Sequence, residues 1–342
     1  MARERIVSGE EVSKKEEEVT WSLRPKTLAE YIGQTALVNK LSISLEAAKR
    51  RNEPLEHTLL YGPPGLGKTT LAHIVSKEMD SRLITASGPT LNRIADLMGI
   101  LTNLDTGDVF FIDEIHRLPM QVEEFIYPAM EDFRVDFVVD KGPFSKVINV
   151  PLKRFTLIGA STRAGHLSAP LRDRFGLTYH LDFYPVEDMY QIVLRSAKLL
   201  DVEIDLDAAQ QLASCSRGTP RIANRLLRRA RDYAVVKADG NISNKVASEA
   251  LKMEGIDSRG LDDLDRAFLK VIIDYYQGGP VGIEAVAATL SEEVSTLEEM
   301  LEPFLLKIGF LTRTKRGRMV TMECYRHFDL PFNGTLQSKL FE

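Results

Sequence analysis

Eight residues, Gly62 to Thr69 (GPPGLGKT), follow the spacing G-x-x-x-x-G-K-[ST]. That spacing suits a loop that cradles phosphates. The glycines, Gly65 and Gly67 among them, let backbone N–H groups turn inward, and a following helix aims its positive end at the bound anion. Lys68 would neutralise the β and γ oxygens, and Thr69 would hold Mg²⁺ through its hydroxyl. The flanks agree: Thr58–Tyr61 reads as a buried strand, and apolar residues resume at helical spacing from Leu71 to Met79. Nucleotide binding, with ATP and Mg²⁺, follows from this arrangement.

Two further strands carry complementary chemistry. In "DVFFIDEIHRL" (Asp108–Leu118) a buried-type run ends in Asp113 and Glu114. Asp113 is placed to reach the Mg²⁺ water shell and Glu114 to polarise an attacking water, which favours hydrolysis over a binding-only switch. "RFTLIGAST" ends in Ser161 and Thr162, where a hydroxyl can sense the γ-phosphate or fix that water. "SAPLRDRFG" then supplies Arg172 and Arg174 beside Phe175. A cation at this point can stabilise charge developing in phosphoryl transfer. In P-loop ATPases with this order of elements the arginine lies at the subunit edge and serves a neighbour's nucleotide, so the active form is an oligomer. Arg174, directly before Phe175, is the favoured finger.

The elements that must position these groups fit a soluble chain of 342 residues with 44% hydrophobic and 27% charged residues. No run of about 18 apolar residues suggests a transmembrane helix, and the N-terminus lacks the apolar middle of a signal peptide. Residues 1–19 read as a flexible arm. Two distant cysteines, Cys215 and Cys324, imply a reducing, cytoplasmic compartment, and the six histidines form no ligand cluster. The formal charge is −5, yet cations concentrate twice: six arginines in Ser216–Arg231, and Lys307, Arg313, Lys315, Arg316 and Arg318 near the C-terminus. In the first cluster, "GTPRIANRLLRRARDYAVV" reads as a helix with a core stripe of Ile222, Leu226, Leu227, Ala230 and Val235. Arg221 in its first turn is placed to reach a phosphate, while Arg225, Arg228, Arg229 and Arg231 read as a solvated face. "EGIDSRGLDD" (254–263) reads as a linker.

Together the P-loop, the DEIH strand, Ser161-Thr162, Arg174 and the Arg221 of "GTPR" resemble the AAA+ ATPases. Longer strings resemble one branch, the RuvB family of bacterial Holliday junction branch migration ATPases: "LRPKTLAEYIGQ", "LLYGPPGLGKTTLAHI", "FFIDEIHRL", "SAPLRDRFG", "SRGTPRIANRLLRRARDYA", "GGPVGIEAVAATLSEE" and "EPFLLKIGFLTRTKRGR". The resemblance spans about residues 20–332. It implies an α/β fold: a P-loop domain with a parallel sheet (20–184), a small all-α lid (185–255), a C-terminal winged-helix head (258–332) and a tail (333–342). It further implies that Leu23, Arg24, Tyr31 and Ile32 flank the adenine. Tyr184, Pro220 and Arg221 would close over the nucleotide, Thr70 would join the cradle, and Glu131, Asp132 and Phe133 would lie nearby. On this resemblance the C-terminal cations are the wing, two strands (Phe310–Thr314 and Arg318–Met322) around an Arg316-Gly317 turn. Arg313, Lys315, Arg316 and Arg318 would there meet DNA phosphates without reading sequence.

"RVDFVVDKGPFSKVINVP" reads as a hairpin turning at Lys141-Gly142-Pro143, with Phe137, Val139, Ile148 and Val150 as its apolar residues. The resemblance implies that it projects to bind a RuvA-type junction-binding protein, and that a homo-hexameric ring, the duplex arms of a Holliday junction and a RuvC-type resolvase are the other partners. A replication-initiator-like ATP switch with a winged helix is the alternative, and a protein unfoldase is disfavoured because no aromatic-glycine pore string is evident. Ser161 stands where the family commonly has threonine, which keeps the hydroxyl.

Overall fold

The structure, a computed structural model, describes residues 21–139 and 146–331. These fall into two compact units that meet in sequence at Asp188 and Met189.

The first unit is built on five strands: β1 (Thr58–Tyr61), β2 (Leu83–Ser87), β3 (Val109–Asp113), β6 (Thr156–Ser161) and β7 (Leu177–His180). They lie in the order β2-β3-β6-β1-β7, every pair parallel. A parallel sheet is covered on both faces, which demands unbroken apolar runs in its centre. All six residues of β6 and the four apolar residues of β3 are accordingly buried, whereas edge strand β2 buries none completely. Helices α1 (Thr35–Arg51), α2 (Lys68–Glu78), α3 (Ile94–Leu101), α4 (Met120–Glu131) and α5 (Ala169–Asp173) complete the unit. One core joins Phe110, Ile112 and Leu157 of the sheet to Leu97 and Leu101 of α3 and Val122 and Ile126 of α4.

Between α4 and β6, β4 (Arg134–Val139) and β5 (Lys146–Pro151) pair antiparallel as a separate two-stranded sheet. Ile148 is exposed and Val150 half-buried. The expected turn at Lys141-Gly142-Pro143 lies outside the described residues, as do the side chains of Phe137 and Val139.

The second unit opens with four helices. They are α6 (Val186–Leu199), α7 (Leu206–Cys215), α8 (Pro220–Lys237) and α9 (Asn244–Met253). On α8 the buried stripe is Ile222, Ala223, Leu226, Leu227, Ala230 and Ala234. Val235 is exposed, contrary to expectation. At about 100° per residue it sits roughly 220° from Ile222, while Ala234 sits roughly 120° away and so stays on the stripe. Arg225, expected on a solvated face, is buried as well. α8 is packed on more than one side, as the hydrogen bond from Ser196 Oγ of α6 to Asn224 Oδ1 (2.7 Å) shows.

Past α9 come α10 (Asp263–Tyr276), α11 (Ile283–Leu290) and a short α12 (Val294–Thr296), which runs through a π-helical turn (Leu297–Leu301) into α13 (Glu302–Lys307). Strands β8 (Leu311–Thr314) and β9 (Gly317–Val320) and helix α14 (Met322–His327) follow. Phe268, Leu269, Ile283, Leu301, Leu305, Phe310 and Val320 form their common core. The wing turns at Lys315-Arg316, a residue earlier than expected, and Met322 opens α14 instead of closing a strand. Val281 sets this register: it exchanges backbone hydrogen bonds with Arg318 (3.0 and 2.8 Å). Gly317 holds φ 135° so close to Val281 that a Cβ would stand 2.3 Å from its carbonyl oxygen.

The segment expected to be a linker, 254–263, is itself folded. Ile256, Leu261 and Asp262 are buried. The Asp257 carboxylate accepts from the amides of Arg259 and Leu261 (both 2.9 Å), which folds the segment on itself. Among the described residues no helix is long and apolar enough to cross a membrane.

Candidate nucleotide site and nucleic-acid interface

The loop after β1 stands at the C-terminal edge of the parallel sheet, where open α/β sheets place their ligands. Gly62 (φ 143°), Gly65 (φ 77°) and Gly67 (φ 102°) adopt backbone conformations that side chains disfavour. A Cβ on Gly67 would lie 2.8 Å from the Tyr31 hydroxyl, and one on Gly62 would lie 2.2 Å from the Leu181 carbonyl oxygen. Lys68 turns back into this loop, where its ammonium donates to the carbonyls of Gly62 (2.7 Å) and Pro63 (2.9 Å). Thr70, one residue beyond Thr69, is buried.

At the end of β3 the Thr69 hydroxyl reaches Asp113 Oδ2 at 3.5 Å, and Asp113 Oδ1 accepts from the Glu114 amide at 2.9 Å. Thr69 and Asp113 together offer the hard oxygen donors that Mg²⁺ prefers. Glu114 sits in the left-handed region (φ 48°), which swings its side chain off the strand, and it pairs with Arg117 at 3.0 Å. On neighbouring β6, Ser161 Oγ lies 3.1 Å from His116 Nδ1 and accepts from the Arg163 amide at 3.0 Å. Thr162 Oγ1 is buried with no hydrogen-bond partner among the described residues. An unpartnered buried hydroxyl carries a desolvation cost that a polar ligand would relieve.

Tyr31 and Tyr184 close one side of the loop. The Tyr184 hydroxyl stands 2.9 Å from that of Tyr31 and 3.2 Å from the Leu66 carbonyl. Burial raises the Tyr31 phenol well above its usual value and pushes Tyr184 up to about 12, so both stay neutral donors. Leu23 is buried, Ile32 is half-buried, and the Arg24 guanidinium stacks on the Trp21 ring at 4.8 Å.

Arg174 engages a different set of groups. Its guanidinium pairs with Glu131 (3.2 Å), donates to the Pro170 carbonyl (2.7 Å) and lies 4.1 Å from the centroid of Tyr127. The structure therefore brings two expected site residues, Glu131 and Arg174, onto each other. Asp132 pairs with Arg134 (3.1 Å), and Phe133 (φ 50°) packs against His57 and Phe155. Pro220 and Arg221 form the first turn of α8, in the other compact unit.

The wing holds a division that its charge count hides. Glu302, fully buried at the start of α13, accepts from Arg313 Nε (2.8 Å) and Arg318 Nε (2.5 Å), and Arg318 also pairs with Glu298 (2.8 Å). The Arg318 side chain is 15% exposed and that of Arg313 53%. Lys315 and Arg316 are exposed at the tip. Tyr127, His116, Arg117 and Glu302 escaped the sequence reading because each matters through a partner distant in sequence or through local geometry. The one available signal was His116, close after the Asp113-Glu114 pair at the end of β3. Both thiols are buried, and burial raises Cys215 to about 11 and Cys324 to about 12.

Comparison with known proteins accounts for nearly the whole chain. Three family models match in sequence: the Holliday junction DNA helicase RuvB P-loop domain over residues 23–181, the RuvB AAA lid domain over 184–257 and the RuvB C-terminal winged helix domain over 258–329. The Holliday junction branch migration complex subunit RuvB of Kosmotoga olearia is 54% identical over 320 residues, covering 93% of this chain and 94% of its own. The same-named subunit of Latilactobacillus sakei is 54% identical over 332 residues, covering 97% and 99%. The solved Thermotoga maritima RuvB Holliday junction branch migration motor superposes with a TM-score of 0.83 at 50% identity, covering 91% of this chain and 99% of that one. Such likeness along the full length does not favour the replication-initiator alternative. With its phosphate cradle, its Asp-Glu strand and its wing all inside matched regions, the chain belongs to the RuvB family of AAA+ P-loop ATPases.

Proposed function

We propose that this protein is an ATP-driven DNA motor that pulls duplex arms of Holliday junctions to drive branch migration in recombination and repair. It would act in the cytoplasm as a homo-hexameric ring beside a RuvA-type junction binder and a RuvC-type resolvase. The observation that carries this reading is the meeting of Thr69 and Asp113 at the mouth of the glycine cradle, in a chain that also bears a basic wing. Residues 20–184 would serve as the ATPase domain, 185–255 as the lid and 258–332 as the head.

In the proposed reaction Lys68 exchanges its contacts with the Gly62 and Pro63 carbonyls for the β and γ oxygens of ATP. Mg²⁺, held by Thr69 and Asp113, would supply charge neutralisation at those oxygens. Glu114 leaves its solvent-exposed pairing with Arg117, a contact cheap to break, and orients water for in-line attack on the γ-phosphorus. The bond to the β,γ-bridging oxygen breaks, ADP leaves with that electron pair, and the water's protons pass to Glu114 and phosphate. Thr162 offers its unpartnered hydroxyl to the γ-phosphate or the water. Leu23, Arg24, Tyr31, Ile32, Gly65, Gly67, Thr70, Glu131, Asp132, Phe133 and Tyr184 are proposed around the nucleotide, with Pro220 and Arg221 contributed by the lid.

Arg174 is proposed, from the order of elements in P-loop ATPases, to act on a neighbouring copy's nucleotide; its contacts, Glu131, Pro170 and Tyr127, all lie outside the Gly62–Thr69 loop. The hairpin residues Phe137, Val139, Ile148 and Val150 are proposed as the RuvA-type docking face. Lys315 and Arg316, with the donors that Glu302 leaves over on Arg313 and Arg318, are proposed to grip the phosphate backbone. The test is ATP- and Mg²⁺-dependent conversion of synthetic four-way junctions with homologous arms, with and without a RuvA-type protein. Duplex product that disappears with Arg174→Ala is expected. DNA binding without product under every condition would refute the motor.

A further inference from the structure

Arg217 lies between α7 and α8, three residues before Pro220, and is not among the residues proposed at the nucleotide. Its backbone is left-handed (φ 60°), followed by Gly218 at φ 66°. This reversal turns the side chain inward until only 3% of it remains exposed. Burying a guanidinium costs several kcal/mol unless every part of it is answered.

The answers all come from beyond α9. Arg217 Nε donates to the Gly260 carbonyl at 2.8 Å. Nη2 pairs with Asp265 Oδ2 at 2.5 Å and lies 3.7 Å from Asp262 Oδ2, and the guanidinium carbon lies 4.9 Å from the Phe304 ring. Asp262 and Asp265 are themselves locked as the reciprocal cap of α10, each carboxylate accepting from the other's amide at 2.9 Å. One side chain from the four-helix part thus engages the linking segment, the first turn of α10 and the aromatic of α13.

The segment between is held from both sides. Gly260 approaches so closely that a Cβ would stand 2.8 Å from the Cys215 carbonyl oxygen, and Cys215 Sγ lies 3.5 Å from the Asp257 carbonyl. From the other side Arg266 donates to the carbonyls of Gly255 (2.6 Å) and Leu261 (2.7 Å), and His327 Nε2 lies 2.9 Å from Asp257 Oδ2. A swivelling hinge absorbs changes of φ and ψ at a few unconstrained positions. Here any swivel would strip a buried cation from its carboxylate, and close-packed contacts of this kind do not deform gradually.

We infer that Arg217 is a positioning residue that locks the helical lid and the winged-helix head into one rigid body, so that a nucleotide-driven turn of the lid is delivered whole to the wing. The delivery of motion rests on the motor reading above; the rigidity does not. The first measurement uses full-length protein with Lys245→Cys on α9 and Ala288→Cys on α11, both exposed positions, carrying spin labels. Cys215 and Cys324 are buried and stay unlabelled. One narrow distance is expected, unchanged without nucleotide, with ADP and with a slowly hydrolysed ATP analogue. A distance that shifts or broadens with nucleotide overturns the inference.

Arg217→Met/Asp265→Asn then removes both charges of the closest pair together, while the asparagine oxygen still accepts from the Asp262 amide and so keeps the cap of α10. The distance should broaden and junction processing should fall roughly tenfold, within the usual range for coupling between sites, while ATP turnover is retained. Arg217→Lys keeps the charge but loses the fork to Gly260 and should lie between. Wild-type junction processing by the double variant, or ATPase falling in step with it, refutes the role. If the unsubstituted protein moves no junction yet keeps the fixed distance, the motor reading fails and the rigid joint stands.

Discussion

Replacing Glu302 by glutamine tests the wing's internal bracing. The carboxylate is fully buried and serves two arginines, Arg313 through Oε2 and Arg318 chiefly through Oε1, with a longer contact from its Nη2 to Oε2 (3.4 Å). Glutamine keeps one oxygen and turns an NH₂ toward the other guanidinium, donor against donor. Arg313, with 53% of its side chain exposed, can turn to water, and its loss contributes little. Arg318, at 15%, cannot. The amide oxygen therefore turns to Arg318, which keeps a hydrogen bond but loses the buried charge opposite it. Breaking a buried ion pair costs about 3–5 kcal/mol. With that bond and the Glu298 pair retained, the loss should be about 2 kcal/mol, almost all of it at Arg318. At about 1.4 kcal/mol per decade that is roughly a 30-fold larger opening constant. Hydrogen exchange on the full-length protein reads it directly: amides of β8, β9 and α13 should exchange about 30-fold faster, and those of β1 and β3 should not change. Exchange in the wing within about threefold of the unsubstituted protein would show that Glu302 does not brace it.

Three further outcomes are expected. Lys315→Met/Arg316→Met should lower the slope of log K against log salt for duplex binding by about 1.8 per engaged wing, from two phosphate contacts; an unchanged slope places the contacts elsewhere. Tyr184→Phe removes the hydroxyl that meets Tyr31 and the Leu66 carbonyl, and should weaken ATP binding about fivefold by calorimetry, one hydrogen bond contributing about 1 kcal/mol; full affinity would detach this pair from the site. His73 stacks edge-on against Trp21 (4.4 Å), and burial with the Arg24 charge lowers its pKa to about 4. A lowered histidine pKa means that the unfolded chain binds protons first, so stability is undiminished at pH 7 and is lost as pH falls from about 6.5 toward 4. Emission of Trp21, the one tryptophan, should titrate near pH 4, and a midpoint near 6.5 would show His73 to be freely solvated.

Much of the candidate site's geometry was legible because its parts are local. A glycine spacing dictates a loop, and an apolar run ending in Asp113-Glu114 dictates a strand with acids at its tip; that β6 lies between β1 and β3 came only from the fold. The described structure duly sets Thr69 within 3.5 Å of Asp113. Periodicity was weaker over longer spans. The α8 stripe drifted by one residue at Val235, and Arg225 proved buried because α8 is covered on more than one face, which a single-stripe reading does not foresee.

By itself, then, the sequence determined the chemistry on offer: a phosphate cradle, a carboxylate pair, a candidate arginine finger and a basic wing, each written in residues adjacent along the chain. Only the tertiary structure decided which charges are committed to the fold. It paired Arg174 with Glu131, tied Arg313 and Arg318 to Glu302 across 11 and 16 residues, and buried Arg217 against Asp265 at 48. The physical reason is that a long cationic side chain carries the same sequence signature whether it is solvated or buried. Its partner is chosen by which elements pack together, and that choice is set by the whole core rather than by near neighbours.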